Sequence, residues 1–403
     1  MNYGTQALVV ISLLGVIGVI APSGRATDEV DKKLDVHQMR PSVDTDQLVA
    51  LSWTARERGL RYLIDNQNDD GSFGTHDPRL ATLSDFGFQL RNRGSQNGVR
   101  TACTALCAQT LMETKNRSPE EDLALDRAIE DLLRPVKIAY EKRESFNTWG
   151  YGYKLDFLTR LLQTPLAEGR EERIHEAGNL CVAGLAAYRQ HEGGWGYYSD
   201  VLNDFDSMCF NTAVFASALR RGLNLGLEVP VGMIDDSVRI VHEQRCPDGS
   251  FVYSSTHVGR ASSMLMNLGA GSRTAASAVT LFEEGIYTQD DLDLSMHVFR
   301  NGENYLEKGR KLIIPHSAPH AVSGYFFFFG YYYAAEVMKM QGDVPTQKQW
   351  DRHAWQMLRT QENDGRWWDT ASGHYGEMWG TAFALMTLDR YLDATEPRDA
   401  REF

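Results

Sequence analysis

The sequence predicts an all-α protein: a single ring of six helix pairs, with six apolar helices standing inside six amphipathic ones. Three observations predict it. A short phrase recurs, Gln followed by Asn, Asp or Gly and then an aromatic: QNDDGSF at residues 67–73, QHEGGW at 190–195, QRCPDGSF at 244–251 and QENDGRW at 361–367. An amphipathic helical pattern precedes each copy, and a more apolar one follows it. A helix that is apolar nearly all round must be buried on every side, and a repeated unit that cannot bury its own face must stack on its neighbours. Together these give a closed α/α barrel.

The units follow in order. The first joins the pattern around RGLRYLID to RTACTALCAQTLME at residues 100–113, across the first copy of the phrase. The second has no clean copy and runs from Asp122 through NTWGYGY (147–153) into KLDFLTRLL. The third crosses QHEGGW into NTAVFASALR at 211–220. The fourth takes residues 235–244 as its outer helix and RTAASAVTLFE, 273–283, as its inner one. The fifth, again without a clean copy, runs from Asp290 through IIPHSAPH (313–320) into a helix over 325–338. The sixth pairs residues 350–361 with GTAFALMTLDRYL at 380–392. Aromatic or equivalent positions near 73, 149, 195, 251, 316 and 367 mark the six units. Within the phrase, Asp-Gly permits a reversal with positive φ, the Gln closes the outer helix, and the aromatic packs between units. The phrase is architecture, since turn motifs shape folds and function lives in sites placed on them.

With 403 residues, 42% of them hydrophobic, the chain has enough apolar material for one large core or two ordinary ones. A formal charge of −13 with no basic cluster excludes nucleic acid as a default partner. Cys103, Cys107, Cys181, Cys209 and Cys246 are sparse and odd in number, which is neither a disulfide framework nor a zinc knuckle. Residues 7–21 are apolar but shorter than the roughly 20 residues a membrane span needs. Small residues at Gly24 and Ala26 fit a cleavage site, so residues 1–26 are expected to be an export signal, with an uncleaved membrane anchor as the alternative. The protein is then periplasmic or extracellular, with a linker over 27–50, the toroid over 51–395 and a polar tail over 396–403.

Arg58, Gly59, Tyr62, Leu63, Gln67, Gly71 and Phe73, at their spacing, resemble the QW repeat of squalene–hopene and oxidosqualene cyclases. That repeat family also includes protein prenyltransferase β subunits. The resemblance covers roughly residues 51–392 and implies an α/α toroid with an apolar central cavity. It further implies an isoprenoid-like ligand, with cyclisation of the isomerase or lyase type if the chain is an enzyme. Family cyclases protonate their substrate with an Asp-x-Asp-Asp cluster, in which neighbouring groups strengthen one acid. Here Asp204, Phe205 and Asp206 match, but Ser207 replaces the last acid. Asp204 and Asp206 are therefore the catalytic candidates, and the incomplete motif leaves enzymatic activity open.

The run YFFFFGYYY over 325–333 is expected to contribute Tyr325, Phe328 and Tyr332 to an aromatic-lined cavity. Tyr375 and Trp379 in the last unit join them as substrate-binding candidates. No cofactor is expected. A weaker reading, implied by the prenyltransferase resemblance, puts zinc on Asp206, Cys209 and His374. Four histidines, His257, His316, His320 and His374, precede inner helices and converge if those helices start at one end of the barrel. Asp290, Asp291 and Asp293 are read as a helix-cap cluster. Two other classes stay open: a non-catalytic toroid binding a protein or lipid, and a glycan-active enzyme using a carboxylate pair from Asp206, Asp369 and Glu377.

Overall fold

The computed structural model describes residues 44–75, 93–135, 146–197, 206–259, 269–312, 322–370 and 374–395. The chain divides into two units, Met1–Val43 and Asp44–Phe403, and every helix named below belongs to the second. The segment expected to direct export lies outside the described residues. Within them no helix is long and apolar enough to cross a membrane.

The described residues form twelve α-helices. The odd-numbered ones are α1 (Thr45–Asp65), α3 (Pro119–Leu133), α5 (Glu171–Ala187), α7 (Met233–Glu243), α9 (Gln289–Gly309) and α11 (Gln347–Thr360). The even-numbered ones are α2 (Arg93–Glu113), α4 (Asn147–Leu161), α6 (Cys209–Asn224), α8 (Gly271–Glu283), α10 (Phe327–Met340) and α12 (His374–Thr395). Each even helix packs on the next, and α12 returns to α2, so the inner ring is closed. The odd helices pack against its outside, α1 and α11 both against α12. The predicted fold, six helix pairs in a toroid, is the observed one.

Two kinds of helix start divide the layers. Outer helices α3, α9 and α11 open with capping boxes, Ser118 with Glu121, Thr288 with Asp291 and Thr346 with Gln349, so their first N–H groups are satisfied locally. Asp290 and Asp291 thus sit in a first turn, the capping role expected of them. Inner helices begin earlier than their apolar runs suggest, at Arg93 rather than 100 and at His374 rather than 380. The weak helix propensity of the Gly, Asn and His near these starts does not prevent it. The same holds in the second unit, where NTWGYGY is the first part of α4 and Trp149, placed with the turn aromatics, is helical.

The phrase works between units. Gln67 Nε2 donates to Gly71 O at 3.0 Å and to Ala124 O of α3 at 2.8 Å. Gln361 repeats this with Gly365 O at 2.9 Å and Ala55 O of α1 at 2.8 Å, joining the last unit to the first. The amide therefore reaches the next outer helix and does not merely close its own. Phe73, Trp195, Phe251 and Trp367 are fully buried. The backbone N–H groups of Phe73, Trp195 and Trp367 donate to Thr104, Thr212 and Thr381 Oγ1 of the following inner helix, at 2.9, 3.1 and 3.0 Å. Trp195 and Trp367 Nε1 each donate 2.8 Å to a carbonyl ten residues back, Leu185 and Met357. Gly71 has φ +90°, and a Cβ there would strike the Arg127 carbonyl of α3; only glycine fits so close an approach.

Candidate functional site

Contacts between inner helices that are not ring neighbours must cross the barrel axis, and two sets do so. The first lies at the N-terminal ends. Trp149 of α4 meets Trp379 of α12 edge-on at 6.3 Å, although α2 separates their helices. Phe210 of α6 meets Phe326 at 4.8 Å and Phe329 of α10 at 5.9 Å, across α8. Tyr197 and Tyr253, from the segments before α6 and α8, complete the cluster: Tyr197 lies 5.7 Å from Trp149, and Tyr253 lies 5.8 Å from Phe210. The rings form two tiers. Phe146, Phe210, Phe326 and Phe329 are buried, whereas Trp149, Tyr197, Tyr253, Tyr325 and Trp379 remain half-accessible. The result is a ring cluster with a buried phenylalanine floor and a partly exposed rim of Trp and Tyr.

Helical periodicity selects the rings that reach this place. On α10, Phe326, Phe329 and Tyr333 follow an i, i+3, i+7 stripe, with Phe329 and Tyr333 4.6 Å apart. Phe383 of α12 continues the stack at 5.6 Å from Phe329.

The second crossing set is polar and occupies the C-terminal half of the ring. Gln109 of α2 donates to Tyr332 OH of α10 at 3.4 Å and to Glu113 at 2.7 Å. Arg390 of α12 pairs with Glu113 of α2 at 2.8 Å and with Glu336 of α10, and lies over the Tyr332 ring. Burial alone would raise the Glu336 carboxyl, but the Arg390, Lys339 and Arg160 cations hold it below its usual value. Asp156 of α4 takes Arg160 at 3.1 Å and Arg221 of α6. Ser217 of α6 donates to Glu283 of α8 at 2.6 Å. Every inner helix thus ends in a charged group that ties it to a neighbour, and the barrel is aromatic at one end and ionic at the other.

The predicted residues fall unevenly on this frame. Tyr325 and Trp379 stand on the rim. Tyr332 belongs to the ionic end. Phe328 is buried against Phe327, 5.0 Å away, on a side of α10 outside the crossing cluster. Tyr375 is buried in the seam with the first unit, its hydroxyl donating to Thr75 O at 2.7 Å. Neither of these two makes a ring contact with the crossing cluster among the described residues. Asp206 lies beside the cluster, its carbonyl against Gly196 next to Tyr197, and Thr256 Oγ1 donates to its Oδ1 at 3.0 Å. Asp204, His316 and His320 lie outside the described residues.

The zinc trio is not assembled. Cys209 is buried toward α8, and burial pushes its thiol up to about 12, against the pull of Arg273 and Ser277. His374 pairs with Glu377 at 3.1 Å on the far side of α12. Among the described residues no three His, Cys, Asp or Glu side chains gather in a way that could hold a metal ion. His257 bonds Ser254 Oγ at 2.8 Å beside the Tyr253 loop, so the two described histidines occupy separate places.

The carboxylates proposed for a glycan enzyme, Asp206, Asp369 and Glu377, each have their own partners. Glu377 accepts from Tyr62 OH of α1 at 3.0 Å and lies 3.4 Å from Arg366. Asp369 faces the start of α10, accepting the Phe327 N–H at 3.0 Å. Burial pushes the Asp369 carboxyl up to about 6, against the Phe328 and Phe327 N–H groups and the Trp379 indole.

Sequence reasoning missed Phe210, Trp149 as a rim residue, Tyr197 and Tyr253, together with the ionic end. One regularity announces the latter: Glu113, Arg160, Arg221, Glu283, Glu336 and Arg390 each lie in the C-terminal half of an inner helix.

No protein-family model matches the chain, and no curated protein matches it in sequence. Solved structures do. A variant of the type II terpene cyclase MstE from Scytonema, in complex with merosterolic acid A, is 13% identical with a TM-score of 0.52, over 87% of this chain and 99% of that one. Another MstE variant, in complex with geranylgeranyl dihydroxybenzoate, is 12% identical with a TM-score of 0.51, over 86% and 99%. The GH76A alpha-1,6-mannanase from Salegentibacter sp. HEL1_6 is 10% identical with a TM-score of 0.52, over 85% and 98%. The likeness to terpenoid-cyclase toroids expected from the sequence is therefore present as fold. A mannanase shares that fold equally, so the fold does not select the ligand.

Proposed function

We propose that this ring cluster, at the N-terminal ends of the inner helices, forms a recess that binds an apolar, isoprenoid-like small molecule. One observation carries this reading: rings from α4, α6, α10 and α12 meet across the axis, half-accessible above a buried floor of Phe146, Phe210, Phe326 and Phe329. Phenylalanine offers no hydrogen bond to a sugar hydroxyl, whereas a hydrocarbon gains roughly 25 cal/mol for each Å² it buries. Asp369 is engaged by the Phe327 N–H and Glu377 by Tyr62 and Arg366, which favours this reading over a glycan-cleaving pair built on them. Terpene cyclases and their isoprenoid ligands on the same fold add to the reading without carrying it. An acid step at this place would fall to Asp206, with Asp204 beside it in sequence.

Native mass spectrometry of the full chain, recovered from cells and compared with the denatured chain, tests the proposal. A bound apolar small molecule, lost when Phe210→Ala and Trp149→Ala are combined, is the expected result. Release of reducing ends from a polysaccharide panel, with no apolar species bound, would overturn it.

A further inference from the structure

The proposed recess carries its polar groups around Tyr197 and Tyr253. There the structure gathers hydroxyls and two acids: the two phenols hydrogen-bond each other, Thr256 donates to Asp206 Oδ1 at 3.0 Å, Ser254 lies 3.0 Å from Thr256 and 2.8 Å from His257 Nδ1, and Glu192 accepts from Ser255 Oγ and from the Ser207 N–H at 2.9 Å. Asp206 reaches this side because its backbone packs on Gly196, next to Tyr197. The apolar part is built from Phe326, which meets Tyr253 at 6.3 Å, and continues through Phe329 to Phe383, with the Trp379 ring against Trp149.

Asp206 is the distinctive member. It is half-accessible, and among the described residues only its Oδ1 is engaged, by Thr256, while Oδ2 has no partner. A carboxylate oxygen accepts and never donates when ionised, and its hydrogen bonds are about twice as strong as neutral ones. Thr256 fixes the carboxylate through a hydroxyl that is itself held by Ser254. The position is therefore ordered before any ligand arrives, which lowers the entropy lost on binding.

We infer that the ligand is amphipathic, with a hydrocarbon body on the phenylalanine side and a hydrogen-bond-donating head, a hydroxyl or an ammonium, accepted by Asp206. This rests on the function proposed above and narrows it. A head that carries a carboxylate meets Asp206 as a like charge and is rejected, so the same residue supplies both selection and exclusion. The half-accessible faces of Tyr253 and Trp379 suit an ammonium as well as a hydrocarbon. Asp206 is assigned here as a specificity-determining residue, independent of any acid role.

Four probes of one chain length test it with the full-length protein: geranylgeraniol, geranylgeranylamine, geranylgeranoic acid and the hydrocarbon lacking a head. Binding is read by quenching of tryptophan fluorescence, to which Trp149 and Trp379 report. Alcohol and amine are expected to bind about tenfold or more tightly than the hydrocarbon, the worth of one charge-assisted hydrogen bond, and the acid more weakly than either. In Asp206→Asn the alcohol-to-hydrocarbon ratio falls toward one. Thr256→Val, which leaves the carboxylate in place but unfixed, lowers the ratio part of the way and covers the case in which Asp206→Asn fails to fold. Amine bound and alcohol not, or the reverse, separates the two heads and supports the inference for the one retained. Equal binding of all four overturns the inference and leaves the proposed function standing. Failure of all four to bind overturns both.

Discussion

Replacing Asp369 by Asn should stabilise the protein at neutral pH and leave it unchanged in acid. Asp369 is 1% exposed, and its carboxylate caps the first turn of α10 through the Phe327 N–H. Burial lifts it from 3.8 to about 6. A folded-state value above the unfolded one means that the folded chain holds its proton to higher pH. The stabilising contribution of the protonated form is complete below about pH 4 and is lost as pH rises through about 6. Above that, at about 1.4 kcal/mol per unit, the ionised group costs about 3 kcal/mol. Asn cannot ionise, and its carbonyl can accept the same N–H. Urea unfolding at about pH 7.5 should therefore show the variant more stable by about 1–3 kcal/mol, and at about pH 4 the two should coincide. Asp389, buried beside Arg56, is also raised to about 6, so the wild-type pH curve alone would mix the two groups. The difference between variant and wild type isolates Asp369. A variant less stable than wild type at neutral pH would refute the reasoning, because it would show the ionised carboxylate to be a net gain as a cap.

Three other outcomes follow from the same structure. Gln361→Leu removes the bonds to Ala55 O and Gly365 O and should cost about 2 kcal/mol; a loss below about 0.5 kcal/mol in urea unfolding would deny the phrase its joining role. Gly71→Ala places a Cβ against the Arg127 carbonyl at φ +90° and should destabilise by well over the roughly 1 kcal/mol that a compatible Gly-to-Ala change gains; an unchanged melting temperature would contradict it. Trp367→Ala empties a fully buried site and breaks the bond to Met357 O, costing about 3–5 kcal/mol, which thermal unfolding would detect as a fall of several degrees.

The recurring phrase and the alternation of amphipathic with apolar patterns determine the toroid by themselves. They do so because burial periodicity is local: each inner helix carries its own all-round apolar stretch, and each Gln and aromatic its own turn. Even the closure of the ring is written twice, since Gln361 meets Ala55 as Gln67 meets Ala124. What the sequence left undecided is which side chains face the axis. Phe326, Phe328 and Phe329 are equivalent as letters, yet only Phe326 and Phe329 share the stripe that meets Phe210. Trp149 reads as one more turn aromatic until α4 is seen to begin before it. Tyr197 and Tyr253 lie 56 residues apart and join only because successive units set their loops side by side. Such encounters depend on the rotation of each helix and on the circle the units close, and neither quantity is carried by any short stretch of chain.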